Sequence, residues 1–219
     1  TEPEKTFEEV LDEHPVSIQV NGQWQTFPNA KTAEEASYEE YKANLRRNAQ
    51  NFHITDEHLG EGGPKAKFQA NVNAIRLLKE LESAGQQASP EQQEILSRYV
   101  GWGGLSDAFD PEKPAWVSEY AQLKELLTPE EYAAARSSTL NAHYTSPTVI
   151  QAIYEAVGRM GFETGNILEP SMGVGNFFGM LPEEMRNSRL YGVELDPVSG
   201  RIAKQLYPKA DITVGGFET

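Results

Sequence analysis

The period of the apolar positions changes along this chain, and each change predicts a different element. Val16-Ser17-Ile18-Gln19-Val20 alternates apolar and polar, Asn21-Gly22 follows, and Gln23-Trp24-Gln25-Thr26-Phe27 resumes the alternation. Asn-Gly suits a tight primed turn, so the stretch predicts a hairpin. Residues 32–48 are compatible with a helix but mostly polar, and Gly60-Glu61-Gly62-Gly63-Pro64 reads as a loop. From about 65 to 83, Phe68, Val72, Ile75, Leu78 and Leu81 recur at helical spacing and predict an amphipathic helix. Further helices are marked by their starts. In Ser89-Pro90-Glu91-Gln92 a Ser cap, a Pro at the first position and a Gln three after the cap open a helix that ends at Gly101-Trp102-Gly103-Gly104. Thr128-Pro129-Glu130-Glu131 repeats the logic for a short helix to about 136, and Ser146-Pro147 does so for one to about 159.

The last third changes character. Residues 166–169 read as a buried strand, 175–185 as a helix, 189–194 as a strand, 197–206 as a helix capped by Asp196, and 211–214 as a third strand. Strands alternating with helices imply a parallel, doubly wound sheet. The fold class expected is α/β: an α-rich N-terminal region, then the first half of a Rossmann-like unit. The regions run 1–50 (acidic, with the hairpin), 51–137 (mainly helical) and 138–219 (the nucleoside-binding unit). Residues 1–13 read as a charged end with at most one helical turn. Neither an internal repeat nor a low-complexity tract is visible.

Composition narrows the function classes. The net charge is -14, and residues 1–61 hold thirteen acidic against five basic side chains. Phosphate backbones are gripped by Lys and Arg through counterion release, yet Arg46-Arg47 and Lys65/Lys67 are the best basic pairs here. If nucleic acid is the substrate, most of the grip comes from elsewhere. The excess acid reads as solubility, with a partner-docking surface as the alternative. There is no cysteine, which removes disulfides and thiolate metal sites. No apolar run approaches the roughly 20 residues of a membrane span, and the acidic start lacks a signal-peptide core; a cytoplasmic protein is expected. His14, His53, His58 and His143 lack metal-ligand spacing. Trp102 reads as a core aromatic over a tight turn, with base stacking as the alternative.

The candidate chemistry sits in Ile167-Leu168-Glu169-Pro170-Ser171-Met172-Gly173-Val174-Gly175-Asn176-Phe177-Phe178 and Tyr191-Gly192-Val193-Glu194-Leu195-Asp196-Pro197. Glycines after a strand let backbone approach a ligand closely, and a helix N-terminus offers N–H groups to an anion. A tight strand-to-helix turn would need the same glycines. Glu194 lies 19 residues beyond Gly175, at the end of the next strand, where a carboxylate can accept from both ribose hydroxyls. Asp196 reads mainly as a helix cap. The spacing Gly173-x-Gly175-x-x-x-Gly179 also fits a nicotinamide-dinucleotide fingerprint. Against that stand the long turn Glu169-Pro170-Ser171-Met172 and the capped helix that leads into the first strand.

Three motifs in order carry a resemblance. Tyr144-Thr145-Ser146-Pro147 precedes a helix, Glu169-Pro170-Ser171-Met172-Gly173-Val174-Gly175-Asn176-Phe177 follows, and Gly192-Val193-Glu194-Leu195-Asp196-Pro197 closes the set. Over about 140–219 this resembles the adenine-N6 DNA methyltransferases of the gamma arrangement, whose cofactor is S-adenosylmethionine. The resemblance implies that Tyr144, Thr145 and Ser146 line the methionine end. It implies that Glu169, Pro170, Gly173 and Gly175 form the cofactor loop, and that Glu194 and Leu195 hold the ribose and its surroundings. Upstream, Asn51-Phe52-His53-Ile54-Thr55, Leu59-Gly60-Glu61-Gly62-Gly63-Pro64-Lys65 and Leu96-Ser97-Arg98-Tyr99-Val100-Gly101-Trp102-Gly103-Gly104-Leu105 are similar to the region before the methylase part of very large mobile-element proteins. Those proteins join a methyltransferase-like domain to a Swi/Snf-type helicase, which implies DNA and a helicase domain in the same polypeptide as partners.

Departures from the family pattern shape the expectation. The first-motif acid is Glu169 where Asp is usual. The third strand ends at Gly216-Phe217 in place of Asp-Phe, so Phe217 could stack on adenine but the amino-group acceptor is missing unless Glu218 or a backbone carbonyl serves. The Asn/Asp-Pro-Pro-aromatic motif that holds a flipped base is absent. The chain therefore reads as a piece of a larger protein that does not transfer methyl groups alone, with no catalytic residue assigned. In the family's strand order 3-2-1-4-5 the 166–169 strand would be central; here it is expected at an apolar edge, covered by a second copy, the N-terminal region or local disorder. A different class of function stays open: a degenerate nucleoside-binding scaffold acting as an interaction module.

Overall fold

A computed structural model of the chain describes residues 15–56 and 58–218, with side chains throughout except over 41–48. The charged end at residues 1–13 lies outside the described residues. The chain divides into two units, Thr1–Ala49 and Gln50–Thr219.

In the first unit β1 (Val16–Val20) pairs antiparallel with β2 (Gln23–Phe27), Val16 opposite Phe27 and Val20 opposite Gln23. Asn21 and Gly22 take φ of 52° and 74°; a primed turn needs both central residues left-handed, which these two residue types tolerate. The turn's twist matches that of the strands, so the alternation predicted from sequence is realised. Helix α1 (Ala30–Asn48) packs on β1. Its start is fixed by Asn29, whose Oδ1 accepts from the Thr32 backbone N–H at 2.9 Å.

The second unit opens with α2 (Pro64–Ala84), whose predicted stripe Phe68, Val72, Ile75, Leu78 and Leu81 is buried. Gly85, in the left-handed conformation, ends it. Helix α3 (Pro90–Ser97) starts with a complete capping box between Ser89 and Gln92. It stops at Ser97, short of the glycines predicted to end it. Two 3₁₀ turns, Ser106–Phe109 and Pro114–Trp116, and helix α4 (Val117–Leu126) follow; this stretch carries no cap signal and sequence reading left it unassigned. Helix α5 (Pro129–Ser138) has the second full capping box, Thr128 with Glu131. Helix α6 (Pro147–Arg159) follows Ser146, whose side chain makes no capping bond; Pro147 alone preorganises that start.

Strand β3 (Asn166–Glu169), the single turn α7 (Asn176–Gly179), β4 (Arg189–Glu194), α8 (Pro197–Leu206) and β5 (Asp211–Val214) complete the unit. The sheet is parallel throughout in the order β3-β4-β5. The α/β expectation holds: helices on a three-stranded parallel sheet, as in part of a Rossmann-like fold. Two local expectations do not. The predicted 175–185 helix is one turn plus a 3₁₀ turn at Glu183–Met185, because Leu181 precedes Pro182 and a residue before proline avoids the helical region. The 166–169 strand lies at the edge, as expected, but it is not the buried strand its apolar run predicts: Leu168 is 54 % exposed, and among the described residues no strand pairs with its outer side.

One core spans this unit. Trp102, 1 % exposed, meets Phe68, Tyr99 and Phe109 edge-on with ring centroids 6.0, 6.3 and 5.3 Å away, so its core reading stands. The same core continues through Ile202, Leu206 and Tyr207 of the sheet side. Backbone bonds tie the two ends of the unit. The Phe52 N–H donates to Leu206 O and the Ile54 N–H to Gly179 O, both at 2.8 Å. The buried Gln93 amide donates to the carbonyls of Gln50, Gln205 and Leu206 at 3.1, 3.0 and 3.2 Å. A part-buried ionic node centred on the buried Glu131 joins α2, α5 and α8: Glu131 takes Lys79 at 2.8 Å and Arg201 at 2.7 Å, and Arg201 also pairs with Glu82. Burial works against ionising Glu131, but Lys79, Arg201 and the Thr128 N–H outweigh it and hold the carboxyl down to about 2.

Candidate functional site

Parallel strands deliver their C-terminal ends to one edge of a sheet, and ligands bind there. At that edge lies a cleft of about 650 Å³, walled by the ends of β3 and β4, the turn after β3, the segment 141–145 and the loop after α3. Glu169 sits opposite Gly192 in register, so β4 runs two residues past β3 and sets Glu194 beyond it.

The turn after β3 is pinned to β4. The Met172 N–H donates to Val193 O at 3.1 Å and the Gly175 N–H closes back on Met172 O at 2.8 Å. Gly173, at φ 56°, presents its N–H to Glu194 Oε2 at 2.7 Å. The other carboxylate oxygen of Glu194 accepts from the Asp196 N–H at 2.8 Å. Glu194 is thus fixed by two backbone donors, with lone pairs left on each oxygen for a ligand hydroxyl. Burial pushes its carboxyl up, and the N–H groups of Asp196 and Gly173 pull against that. Asp196 Oδ1 accepts from the Ser199 N–H at 2.7 Å, which caps α8 as predicted; its Oδ2 is buried without a hydrogen-bond partner.

Glu169 is the unusual member. Its Oε2 is buried with no hydrogen-bond partner. Burial, then the charge of Glu194, pushes its carboxyl up to about 8. A carboxyl so placed is neutral at neutral pH until a cation or donor enters. The Tyr144 hydroxyl lies 3.5 Å from Ser199 Oγ, and burial pushes its pKa up.

Of the residues singled out in the sequence, Tyr144, Thr145, Glu169, Gly173, Glu194 and Leu195 line this cleft together. Leu195 is 74 % exposed at its mouth. Ser146, Pro170, Gly175 and Phe217 are not on its wall. Gly175 is packed under the Tyr207 ring, where an added Cβ would come within 2.6 Å, and Phe217 is 62 % exposed. The sequence assigned no role in the site to Tyr99, Asn141, His143 or Ser199, which also line the cleft. Tyr99 could have been found, since it precedes a glycine-rich turn; Asn141 and Ser199 carry no signal of their own.

Three carboxyl groups face one cleft, and the Gly173 N–H that could cradle a phosphate is given to Glu194. The following helix is a single turn with little dipole to offer. The arrangement favours a ligand that brings hydroxyls and positive charge and disfavours a pyrophosphate. Among the described residues no group of His, Asp and Glu could hold a metal ion, and no helix is long and apolar enough to cross a membrane. A shallower apolar groove of about 410 Å³ runs between α6 and the outer edge of β3.

Comparison with known proteins gives two partial relatives. The chain is 28% identical over 159 residues, 73% of its length, to the defense against restriction protein B of Escherichia phage P1, and spans 6% of that protein. It is 37% identical over 76 residues, 35% of its length, to the type II methyltransferase M.CvrRI of Paramecium bursaria Chlorella virus XZ-6E, and spans 19% of it. The chain thus covers a small part of each relative. No family model matches the chain, and no solved structure matches it.

Proposed function

We propose that the 50–219 unit binds S-adenosylmethionine as part of a larger methyltransferase-like protein that acts on adenine in DNA. The observation that carries this reading is the pairing of a backbone-fixed Glu194 with a Glu169 whose Oε2 is buried without a partner, in one cleft. Glu194 suits the two ribose hydroxyls, Leu195 the rim beside the adenine, and Glu169 the ammonium of the methionine end, with Tyr144 and Thr145 as its wall. S-adenosylmethionine supplies an activated methyl group on a cationic sulfonium. The residues of this chain bind and orient; the cleft's negative charge offsets that of the bound cation. The Glu194 carboxylate argues against a nicotinamide dinucleotide, whose pyrophosphate would face it and would bring no cation to Glu169. Similarity to a methyltransferase over about a third of the chain supports the reading. DNA and a helicase in the same polypeptide are further parts of the proposal, resting on the sequence motifs.

A second reading has its own support. The longer similarity is to a protein named for defense against restriction, which fits a nucleoside-binding scaffold in an assembly as well as an enzyme. Calorimetric titration of the chain with S-adenosylmethionine and with NADH tests the binding claim. Uptake of S-adenosylmethionine alone is expected; binding of NADH in its place would overturn it.

A further inference from the structure

The Tyr144 ring is held between two glycines from distant parts of the chain. An added Cβ at Gly173 would stand 3.0 Å from Tyr144 Cε1, and one at Gly101 would stand 2.7 Å from Tyr144 Cε2. Real Cβ atoms do not approach as closely as 2.7 Å, and 3.0 Å is tighter than nearly all real contacts, so the ring occupies space that the absence of both side chains creates. Gly101 belongs to the loop after α3, outside the segment that resembles the cofactor-binding family. The loop is anchored from below by Asn71, which is fully buried in α2. Its amide donates to Gly101 O at 2.5 Å and accepts from the Val100 N–H at 2.9 Å. Two further contacts fix the segment that carries Tyr144. The Gly104 N–H donates to Thr139 O at 3.1 Å, and the Gly103 backbone packs on the Ala142 carbonyl so closely that no Cβ would fit. Tyr99 and Gly101 themselves reach the cleft wall.

We infer that Asn71 and Gly101 are positioning residues for the ligand: the helical layer seats the Tyr144 ring against Gly173 and so shapes the end of the cleft assigned to the methionine group. The inference rests on the proposed function for the identity of that group. The helical layer then belongs to the site and is more than a neighbour of it.

The test uses the full chain, S-adenosylmethionine and adenosine, with thermal unfolding to confirm folding. Gly101→Ala pushes the ring and is expected to weaken S-adenosylmethionine about tenfold, within the range for coupled neighbours, and adenosine far less. Gly161→Ala is the control. It too has a left-handed backbone, φ 89°, lies off the cleft wall, and an added Cβ there meets nothing within 4 Å, so the cost of backbone strain alone would show there too. In a Tyr144→Ala background, Gly101→Ala should cost no further affinity. Should Gly101→Ala not fold, Asn71→Ser, which can keep one of the two bonds, takes its place in the same cycle. Equal losses for both ligands, or a Gly101→Ala loss that persists without the Tyr144 ring, would overturn the inference while leaving the cofactor reading intact. If the wild-type chain takes up neither ligand, the cofactor reading fails first and the inference goes with it.

Discussion

At the scale of single residues, the cleft is a problem of where protons and hydrogen bonds go. Glu194 is preoriented by the Gly173 and Asp196 N–H groups, so a ribose meets a carboxylate that has no rotamer freedom left to lose. Glu194→Ala is expected to weaken S-adenosylmethionine by about 1.5–3 kcal/mol, the range for a hydrogen bond to a charged group, as read by calorimetry. Glu169 predicts a pH effect. Its folded pKa of about 8 lies above the ordinary 4.5, so the folded state holds a proton that the unfolded chain releases. Its contribution to stability is therefore full below about 4.5 and is lost as pH rises toward 8. Thermal midpoints of the wild type should fall relative to Glu169→Gln across that window. Near neutral pH, a cationic ligand should drive off the proton, making the binding enthalpy depend on the buffer; Glu169→Gln should abolish that dependence. The cleft acids Glu169 and Glu194 were legible in the sequence because each ends a strand after a short apolar run. The unpartnered state of Glu169 was not, since it follows from packing by residues far away in the chain.

Elements were legible where a local rule dictates them. Asn21-Gly22, the capping boxes at Ser89 and Thr128 and the stripe on α2 are all decided within a few residues. The 104–126 stretch was not, because its 3₁₀ turns form around Trp102 and Phe109, and only the assembled core specifies that geometry. The length of α7 is different: Pro182, a local signal, cuts it short. Trp102→Ala should cost about 3–5 kcal/mol, as for a buried aromatic, measured by chemical denaturation. Glu131 serves at once as cap partner for α5 and as the acid between Lys79 and Arg201. Glu131→Ala is expected to destabilise the chain by about 2–4 kcal/mol, combining a lost cap with a broken buried pair. Held down to about 2, the Glu131 carboxyl contributes stability that is present above the ordinary 4.5 and lost as pH falls toward 2. Acid unfolding of Glu131→Gln should accordingly be less steep in that interval.

For the whole molecule, a net charge of -14 without a basic cluster opposes any unaided grip on a duplex. Anisotropy titration with labelled DNA at low salt should show no binding by the chain alone. Tight, salt-sensitive binding would instead require a basic face that the described residues do not present. The continuous core of 50–219 could not be read from periodicity, which registers faces of elements but not which faces meet. That continuity bears on how the protein is made. The bonds from Phe52 to Leu206 and from Ile54 to Gly179 join its first residues to partners that leave the ribosome far later. Synthesis proceeds at about 5–20 residues per second. The helical layer therefore emerges with its sheet-facing side uncovered and must wait for α8 before it can close. During that interval its apolar side faces water, and a stall in translation before α8 would leave a nascent chain unable to finish its core.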